Sequence, residues 1–373
     1  MKFSIKKNII LEQLTNVSKA ISSRNIIPIL NGIKFELSKE GLVLTASDSD
    51  LTIESFIPAN KIEKIEIEGE IIIQSKYILE IIKKLPSDIV NFEVIDSLKI
   101  LIYTETSQYN LNCLNSVDYP QIELNDNTTH IELKSGDLKK MIKQTIFAVS
   151  TQESRPLLTG VNIKINGSIL ECVATDSYRL AKKTLNLESP YGDAIDIVIP
   201  GKNINELDKI ITEDDKIVEI HIFDNKIMFK YEGIKFQSNL LNGSYPNTSN
   251  FIPAEFAYII STKLNDYFSS IDGASLLTQS KEKNIVKMEA NGNELIISSF
   301  ASEIGKAENR ITVERNVNDD ISISFSAKYM MDALRTFDDE DIIICMNSDS
   351  KPIVVKSATD ESLVQLVLPI KTY

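Results

Sequence analysis

The stretch Pro28-Ile-Leu-Asn-Gly-Ile33 decides the organisation of this chain, because it recurs 128 positions later as Pro156-Leu-Leu-Thr-Gly-Val161. The same offset places Ala46-Ser-Asp-Ser49 over Ala174-Thr-Asp-Ser177 and also superposes Leu42 on a second leucine. Several segments that agree in one register without gaps indicate an internal duplication. The chain is therefore expected to contain at least two copies of one structural unit.

A second register and a weaker third copy complete the repeat pattern. Ser75-Lys-Tyr-Ile-Leu79 falls on Gly201-Lys-Asn-Ile-Asn205 at an offset of 126, and Ser326-Ala-Lys-Tyr-Met330 is similar to both. Ile259-Ile-Ser-Thr-Lys263 restarts the pattern, which Leu368-Pro369 ends. The repeats predict three domains, over residues 1–126, 127–249 and 250–373.

Each repeat predicts the same order of strands and helices. In the second repeat Leu138, Met141, Ile142 and Thr145 have the 3.6-residue spacing of a helix with one apolar face. Alternation in Ile33-Lys-Phe-Glu-Leu37 predicts a half-buried strand. Two helices over antiparallel sheet in each repeat give an α+β fold with six helices. The second helix of each repeat is expected to start at Gln74, Pro200 and Ser326.

Composition restricts the class of protein. The chain has 373 residues, 43% hydrophobic and 25% charged, which is typical of a soluble globular protein with more than one domain. Its first residues lack the apolar segment of a secretory signal, and no apolar run approaches the length of a membrane span. We therefore expect a cytoplasmic protein without membrane segments.

The distribution of charge is more informative than its total. The net charge is −13, yet six predicted helix windows together carry +7, which leaves −20 for the rest of the chain. One basic helix face is most simply a solvated face, but a positive excess concentrated in helices of a repeat protein favours a basic lining. Such a lining attracts phosphate without reading bases. The windows are residues 6–24, 74–85, 136–150, 200–211, 261–272 and 326–337.

No pattern in the sequence predicts catalysis, a metal site or a cofactor. His130 and His221 lie in strand-like segments where structural roles are expected, and no phosphate loop, nucleophile elbow or HExxH motif occurs. Asp48 and Asp176 could suggest a two-metal nuclease, but their equivalent positions in two repeats favour a shared structural turn. The cysteines are widely separated in apolar segments and are expected to be buried and reduced: Cys113, Cys172 and Cys345.

Four stretches carry a resemblance to a known family: Arg24-Asn-Ile-Ile-Pro-Ile-Leu30, Val173-Ala-Thr-Asp-Ser-Tyr-Arg-Leu-Ala181, Gly243-Ser-Tyr-Pro246 and Leu368-Pro-Ile-Lys-Thr-Tyr373. Over its whole length the chain resembles the beta subunits of bacterial DNA polymerase III, the sliding clamps. The resemblance implies three clamp domains per subunit and a closed ring formed by a head-to-tail homodimer. It also implies that duplex DNA of any sequence passes through the ring. Replicative polymerase, clamp loader and repair proteins would bind through short linear peptides.

The resemblance also implies particular site residues. Family positions that contact DNA match Arg24, Gln152, Arg155 and Lys202, to which the charge pattern adds Lys139 and Lys143. Apolar positions at the subunit interface match Tyr109, Leu276 and Leu277. The pocket for partner peptides matches Leu158, Thr175, Tyr178, Arg179, Leu180, Pro246, Phe251, Leu368, Pro369 and Ile370.

Two alternatives stay open at the level of sequence. A monomeric scaffold that binds peptides without encircling DNA would have the same pocket, although the helix charge excess disfavours it. The tail from Val367 to Ile370 could instead be the last core strand. Departures from the family at Ser177, Tyr178 and Asn250 leave the preferred peptide open.

Overall fold

The computed structural model describes residues 1–22, 27–96, 98–192, 194–212, 214–278, 284–302 and 304–371. Its contacts divide the chain into two compact units that are each discontinuous in sequence. Unit one comprises residues 1–137 and 206–240, and unit two comprises residues 138–205 and 241–373. The domain boundaries predicted after residues 126 and 249 stay predictions, because the residues of the second repeat belong to both units.

The described residues of the first repeat form two α-helices and nine strands. Each helix follows a strand directly. The elements are β1 (Lys2–Lys6), α1 (Lys7–Val17), β2 (Gly32–Leu37), β3 (Gly41–Ser47), β4 (Leu51–Pro58), β5 (Ile62–Ile67), β6 (Gly69–Gln74), α2 (Ser75–Lys84), β7 (Ile89–Asp96), β8 (Lys99–Tyr103) and β9 (Gln108–Asn112).

The second repeat has the same order, with one strand fewer. The elements are β10 (His130–Lys134), α3 (Ser135–Thr145), β11 (Gly160–Asn166), β12 (Ile169–Thr175), β13 (Arg179–Asn186), β14 (Ile195–Pro200), α4 (Gly201–Asp208), β15 (Ile217–Ile222), β16 (Lys226–Tyr231) and β17 (Ile234–Asn239).

The third repeat again opens with a strand and a helix. The elements are β18 (Tyr258–Lys263), α5 (Leu264–Ser275), β19 (Ile285–Asn291), β20 (Glu294–Ala301), β21 (Gly305–Thr312), β22 (Glu314–Arg315), β23 (Ile321–Ser326), α6 (Ala327–Leu334), β24 (Asp341–Met346), β25 (Ile353–Ser357) and β26 (Leu363–Val367).

The element bounds follow the repeat registers found in the sequence. β3 and β4 superpose on β12 and β13 with the offset of 128, and β6 and α2 begin 126 positions before β14 and α4. The predicted second helices start one residue after the expected residues, with Gln74 and Ser326 as N-caps. The Ser326 side chain accepts a hydrogen bond from the backbone N–H of Tyr329, which satisfies an otherwise unpaired donor of the first turn.

Antiparallel sheets connect successive repeats within each unit. In unit one, β10-β15-β16-β17-β4-β3-β2-β6 form an eight-stranded sheet in which β17 of repeat two pairs with β4 of repeat one. A five-stranded sheet, β5-β1-β7-β8-β9, completes that unit. In unit two, β14-β11-β12-β13-β26-β25-β24-β18-β22 form nine strands, joined across repeats where β13 pairs with β26. The fourth sheet is β21-β20-β19-β23. The predicted α+β architecture is confirmed.

Burial agrees with the predicted apolar face of the second repeat's first helix. Leu138, Met141, Ile142 and Thr145 are all buried. The three cysteines are free and buried, as predicted. Burial raises the pKa of the Cys172 thiol to about 12, so this thiol stays protonated and unreactive. None of the described helices combines the length and apolar character that crossing a membrane requires.

The net positive charge of the helices is smaller than predicted, because the helices are shorter than the sequence windows. Within their observed bounds α2 and α3 carry +2 each, α1 and α6 are neutral, and α4 and α5 carry −1 and −2. The six helices therefore carry only +1. Much of the predicted excess belongs to residues just beyond helix ends, such as Lys19, Lys209 and Arg335. Cations at helix C-termini complement the helix dipole.

Candidate functional site

Unit two contains an apolar groove of about 710 Å³, large enough for several side chains of a bound peptide. Strands of two repeats form its floor where β13 and β26 pair. Its wall residues are contributed by the loops that precede β11 and follow β17 and β24. The lining residues, which define the groove below, are Arg155, Pro156, Leu157, Leu158, Thr175, Ser177, Arg179, Leu180, Ser244, Pro246, Asn250, Phe251, Pro253, Lys351, Pro352, Leu366 and Leu368.

A tight turn between β12 and β13 shapes one side of the groove. The Asp176 carboxylate accepts hydrogen bonds from the backbone N–H groups of Tyr178 and Arg179, at 2.9 and 3.0 Å. Ser177, which lies between Asp176 and Tyr178, adopts a positive φ of 78°. Asp48 accepts the same pair of bonds in the first repeat, at 3.0 and 2.8 Å, and Ser49 also has a φ of 78°. The two aspartates therefore stabilise equivalent turns.

The Arg179 guanidinium is held in place by groups of two repeats. Its Nε lies 3.1 Å from Asp176, and its Nη1 lies 2.8 Å from Asp332 on α6. The guanidinium carbon also stands 4.6 Å from the centre of the Tyr329 ring. With its side chain only 11% exposed, Arg179 links β13 to α6 through ion pairs and a cation–π contact.

Seven of the ten residues predicted for the peptide pocket line the groove, and three do not. The three are Tyr178, Pro369 and Ile370. Tyr178 is 59% exposed and stacks on Tyr329, with ring centres 6.3 Å apart. The Ile370 backbone N–H donates to the Ser324 carbonyl at 2.7 Å, which draws the tail towards β23. These three residues are therefore absent from the groove lining, and their contact with a peptide stays a prediction.

The tail combines the two roles that sequence left open. Val367 is buried and is the last residue of β26, so the core-strand alternative holds at that position. Leu368 continues the pairing by donating its N–H to the Tyr178 carbonyl at 2.9 Å, yet its side chain is 36% exposed in the groove. The change from core to groove occurs within one residue because neighbouring side chains of a strand point to opposite faces.

Sequence reasoning missed about half of the groove lining. Arg155, which is predicted to contact DNA, lines the groove, where its Nη1 donates to the Ser177 hydroxyl at 3.0 Å; its contact with DNA stays a prediction. Lys351 and Pro352 lie in the turn between β24 and β25, far in sequence from the other lining residues. Neither carries a local signal. Leu157 and Pro156, in contrast, are adjacent to a predicted residue and could have been included on position alone.

The residues predicted to contact DNA lie partly in helices and partly in loops. Lys139 and Lys143 are on α3, and neither forms an ion pair with any residue that the structure describes. Lys140, between them, pairs instead with Asp338 at 3.0 Å. Lys202 is exposed in the first turn of α4, and Gln152 is exposed in the loop after α3. Arg24 lies outside the described residues.

The residues predicted for a subunit interface are exposed apolar side chains in separate units. In unit one, Tyr109 on the edge strand β9 is 37% exposed and borders a shallow cavity of about 270 Å³. Tyr77 and Ile81 of α2 also line this cavity. In unit two, Leu276 at the end of α5 is 64% exposed and Leu277 is half-buried. Large apolar side chains in such exposure are typical of protein contacts.

Repeated α+β domains and a preformed apolar groove define the fold and the candidate site of this chain. Sequence comparison identifies the family. Residues 1–123, 132–247 and 249–371 match, in order, the N-terminal, central and C-terminal domains of the DNA polymerase III beta subunit.

Curated relatives and solved structures agree with these matches. The chain is 40% identical to the beta sliding clamp of Bacillus subtilis and 37% identical to that of Staphylococcus epidermidis, with complete coverage of both chains in each case. The crystal structure of the Bacillus subtilis DNA polymerase sliding clamp superposes with a TM-score of 0.96 at 40% identity. The DNA polymerase III beta chain of Streptococcus pneumoniae superposes with a TM-score of 0.94 at 34% identity. Both alignments cover each chain completely.

The chain therefore belongs to the family of DNA polymerase III beta subunits, the beta sliding clamps. Its three clamp domains and its role as a replication sliding clamp follow from this membership.

Proposed function

We propose that this sliding clamp works by mechanical tethering: two subunits close head to tail around duplex DNA, and polymerases bind the groove. The groove is the single observation that carries the peptide-binding part of the proposal, because it is preformed, apolar and composed of two repeats. The protein would have no catalytic site of its own, and a separate ATP-driven loader would open the ring. Action on chromosomal DNA would place it in the cytoplasm.

The groove fits an extended peptide that carries large apolar side chains. Phe251 is 50% exposed and Leu368 is 36% exposed, so each has apolar area that a ligand can cover. Leu158 and Leu180 form a buried floor beneath them. Burial of such anchors supplies most of the affinity at peptide interfaces, while polar rim groups fix orientation. Short linear peptides of replicative polymerase, clamp loader and repair proteins are the proposed occupants.

Arg155 and Lys351 are better placed than Arg179 to orient the peptide. The Arg179 guanidinium already has two carboxylate partners and little exposure. Arg155 is exposed at the groove rim, where the only described partner of its guanidinium is the neutral hydroxyl of Ser177. Lys351 is also an exposed cation of the lining. Acidic or carbonyl groups of a partner peptide would find free donors there.

DNA would be attracted mainly by Lys139 and Lys143 of α3, together with Lys202 of α4, Gln152 and Arg24. The two α3 lysines support this part of the proposal because no described carboxylate neutralises them. Contacts of this kind act on phosphates and depend little on sequence. An acidic remainder of the chain, with net charge −13 overall, would discourage DNA from wrapping around the outside.

The homodimer would bring Leu276 and Leu277 of one subunit against Tyr109 of the other. The shallow cavity beside Tyr109 offers apolar walls from Tyr77 and Ile81, which a leucine side chain could fill. β9 and β21 are also edge strands, each paired on one side only within the described sheets. An edge strand readily adds another strand. A heterologous contact of this kind repeated twice closes a ring.

Retention on circular and linear DNA tests encirclement directly. The clamp is loaded on nicked circles with a cognate loader and ATP, and half of the sample is then linearised. Topological linkage predicts retention on circles and loss from linear ends. Equal retention on both forms, or absence from both with a competent loader, would favour the alternative of a monomeric peptide-binding scaffold.

A further inference from the structure

The two histidines of this chain meet on neighbouring strands of unit one. His130 on β10 is the direct cross-strand partner of His221 on β15, and their ring centres lie 5.1 Å apart. Two positions further along the same face, Glu132 pairs with Glu219. The histidines are 91 positions apart in the chain, which hides this cluster from a motif search and is why the sequence predicted no metal site.

The donor atoms of His130, Glu219 and His221 are close enough to bind one ion. All three lie within 4.8 Å of one another. The Nε2 of His221 is 3.5 Å from Oε2 of Glu219. Ligand atoms at about 2.0–2.1 Å from a tetrahedral zinc ion are separated by about 3.3 Å. One pair of donors therefore already has nearly the required spacing, and the exposed His130 ring, whose Nε2 lies 3.4 Å from Glu132 Oε1, completes the set.

The buried ring of His221 offers an unused donor atom to this cluster. His221 is 1% exposed, and its Nε2 has no hydrogen-bond partner of normal geometry among the described residues. Its Nδ1 lies 3.0 Å from the Thr128 hydroxyl. With the proton on Nδ1 donated to that hydroxyl, the Nε2 lone pair faces Glu219, as in histidine ligands oriented by an outer partner.

One cation of the protein competes for the same carboxylate. Lys230 Nζ lies 3.2 Å from Glu219 Oε2 and 3.4 Å from Asp126 Oδ2. Lys235 also pairs with Asp126, at 3.3 Å. Asp126 thus provides Lys230 with a second partner when Glu219 turns to an ion. The carboxylates of Glu219 and Asp126 together offset the positive charges of Lys230 and Lys235.

We propose that His130, Glu219 and His221 bind a divalent first-row transition ion such as Zn²⁺, with water completing the coordination. Two imidazoles and one carboxylate suit such ions, whereas Mg²⁺ and Ca²⁺ prefer oxygen ligands alone. β10 is an edge strand of the eight-stranded sheet, so a bound ion would fasten that edge to β15. This is a structural role separate from tethering polymerase to DNA.

Zinc and cobalt titrations of the full-length, chelator-treated protein test the site. Wild type is expected to bind one Zn²⁺ per subunit, and Co²⁺ should give the visible absorption of a tetrahedral nitrogen and oxygen site. His130→Ala and Glu219→Gln should each weaken binding at least about tenfold. Glu171→Gln is the matched control, because Glu171 is another cross-strand carboxylate paired with a lysine, Lys182. Lys230→Met should strengthen binding by removing the competing cation.

A stability readout distinguishes the site from casual surface binding. Zinc should slow hydrogen exchange of the β10 amides and raise the unfolding temperature in wild type and Glu171→Gln, but not in His130→Ala. Equal zinc affinity in wild type and His130→Ala would overturn the proposal. So would a cobalt–thiolate band, since it would assign binding to cysteine, or the absence of saturable binding in wild type. Undiminished zinc affinity in Glu219→Gln would exclude Glu219 as a ligand.

Discussion

The role expected for Arg179 from sequence differs from the contacts that its side chain makes in the structure. By position it matches a peptide-contacting residue, but its guanidinium is occupied by Asp176 and Asp332. The residue lines the groove with its stem while its charge links two repeats. Residues whose side chains keep exposed apolar area, such as Phe251, are therefore the better points at which to test binding.

Phe251→Asp should weaken binding of a polymerase-derived peptide by at least about thirtyfold, the loss expected for an apolar anchor. A charge at this position would have to be desolvated beneath the peptide. Fluorescence anisotropy with a labelled peptide measures the change. Phe300→Asp is the matched control, because Phe300 is 70% exposed and does not line the groove. Undiminished affinity in Phe251→Asp would contradict the groove assignment.

Asp360 forms an ion pair with a buried lysine of unit two, and this ion pair makes the free energy of unfolding depend on pH. Lys183 Nζ is 2.6 Å from Asp360 Oδ2, and the lysine is only 3% exposed. Partial burial raises the pKa of Asp360, but hydrogen bonds from Lys183 and Ser362 outweigh burial and lower that pKa to about 2. Since the unfolded value is 3.8, the stabilisation is fully present above about pH 5 and is lost as pH falls towards 2.

Asp360→Asn should lower the free energy of unfolding by about 2 kcal/mol at pH 7, because Lys183 stays buried with its charge uncompensated. The difference from wild type should shrink at pH 3, where the wild-type carboxyl is mostly protonated in the unfolded chain but still mostly ionised in the folded one. Urea unfolding at both pH values measures it. Asp319→Asn serves as the control at an exposed site. A pH-independent difference would refute the role of this ion pair.

At the scale of elements, α3 is one of the two described helices with a net positive charge. It carries +2, and Lys139 and Lys143 lack described carboxylate partners, whereas Lys140 is paired with Asp338. The total over all helices is only +1, so attraction of DNA is not a property shared equally by six helices. Particular elements, α2 and α3, carry the excess.

Lys139→Glu with Lys143→Glu should weaken sequence-independent DNA binding at low salt. The slope of affinity against salt should also decrease by about one for each lost phosphate contact. Anisotropy on a labelled primer–template at several salt concentrations measures both effects. The control is Lys39→Glu with Lys61→Glu, which changes net charge equally at two exposed lysines of unit one. Equal weakening in both double variants would mean that total charge alone decides binding.

At the scale of the whole molecule, ring closure depends on what one chain leaves exposed. Among the described strands β9 pairs only with β8, and both the cavity beside β9 and the side chain of Leu276 leave apolar area exposed. Area of this type is normally covered by assembly. A closed dimer would cover both at each of two identical contacts.

Leu276→Asp should raise the dimer dissociation constant at least about tenfold, because a charge would be desolvated in an apolar contact. Sedimentation velocity over a range of concentrations measures the constant. Val117→Asp is the control, since Val117 is 81% exposed in a different part of the chain. A monomeric wild type at all concentrations would instead support the scaffold alternative.

The repeats, the order of elements and the α+β class were predictable from sequence because they depend on local pattern. Contiguous residues determine the apolar periods of 2 and 3.6 that indicate strands and helices. They also determine the helix cap at Ser326 and the equivalent turns at Asp48 and Asp176. Seven residues of the groove were also found, through resemblance.

Tertiary structure decided everything that depends on residues distant in sequence. Lys351 reaches the groove, Ile370 leaves it, and His130 meets His221 only because strands of specific register bring them together. The exposed charge of the helices also depended on where each helix ends, which periodicity alone places imprecisely. Strand pairing is a long-range contact set by the burial of whole faces, and no local stretch of sequence encodes it.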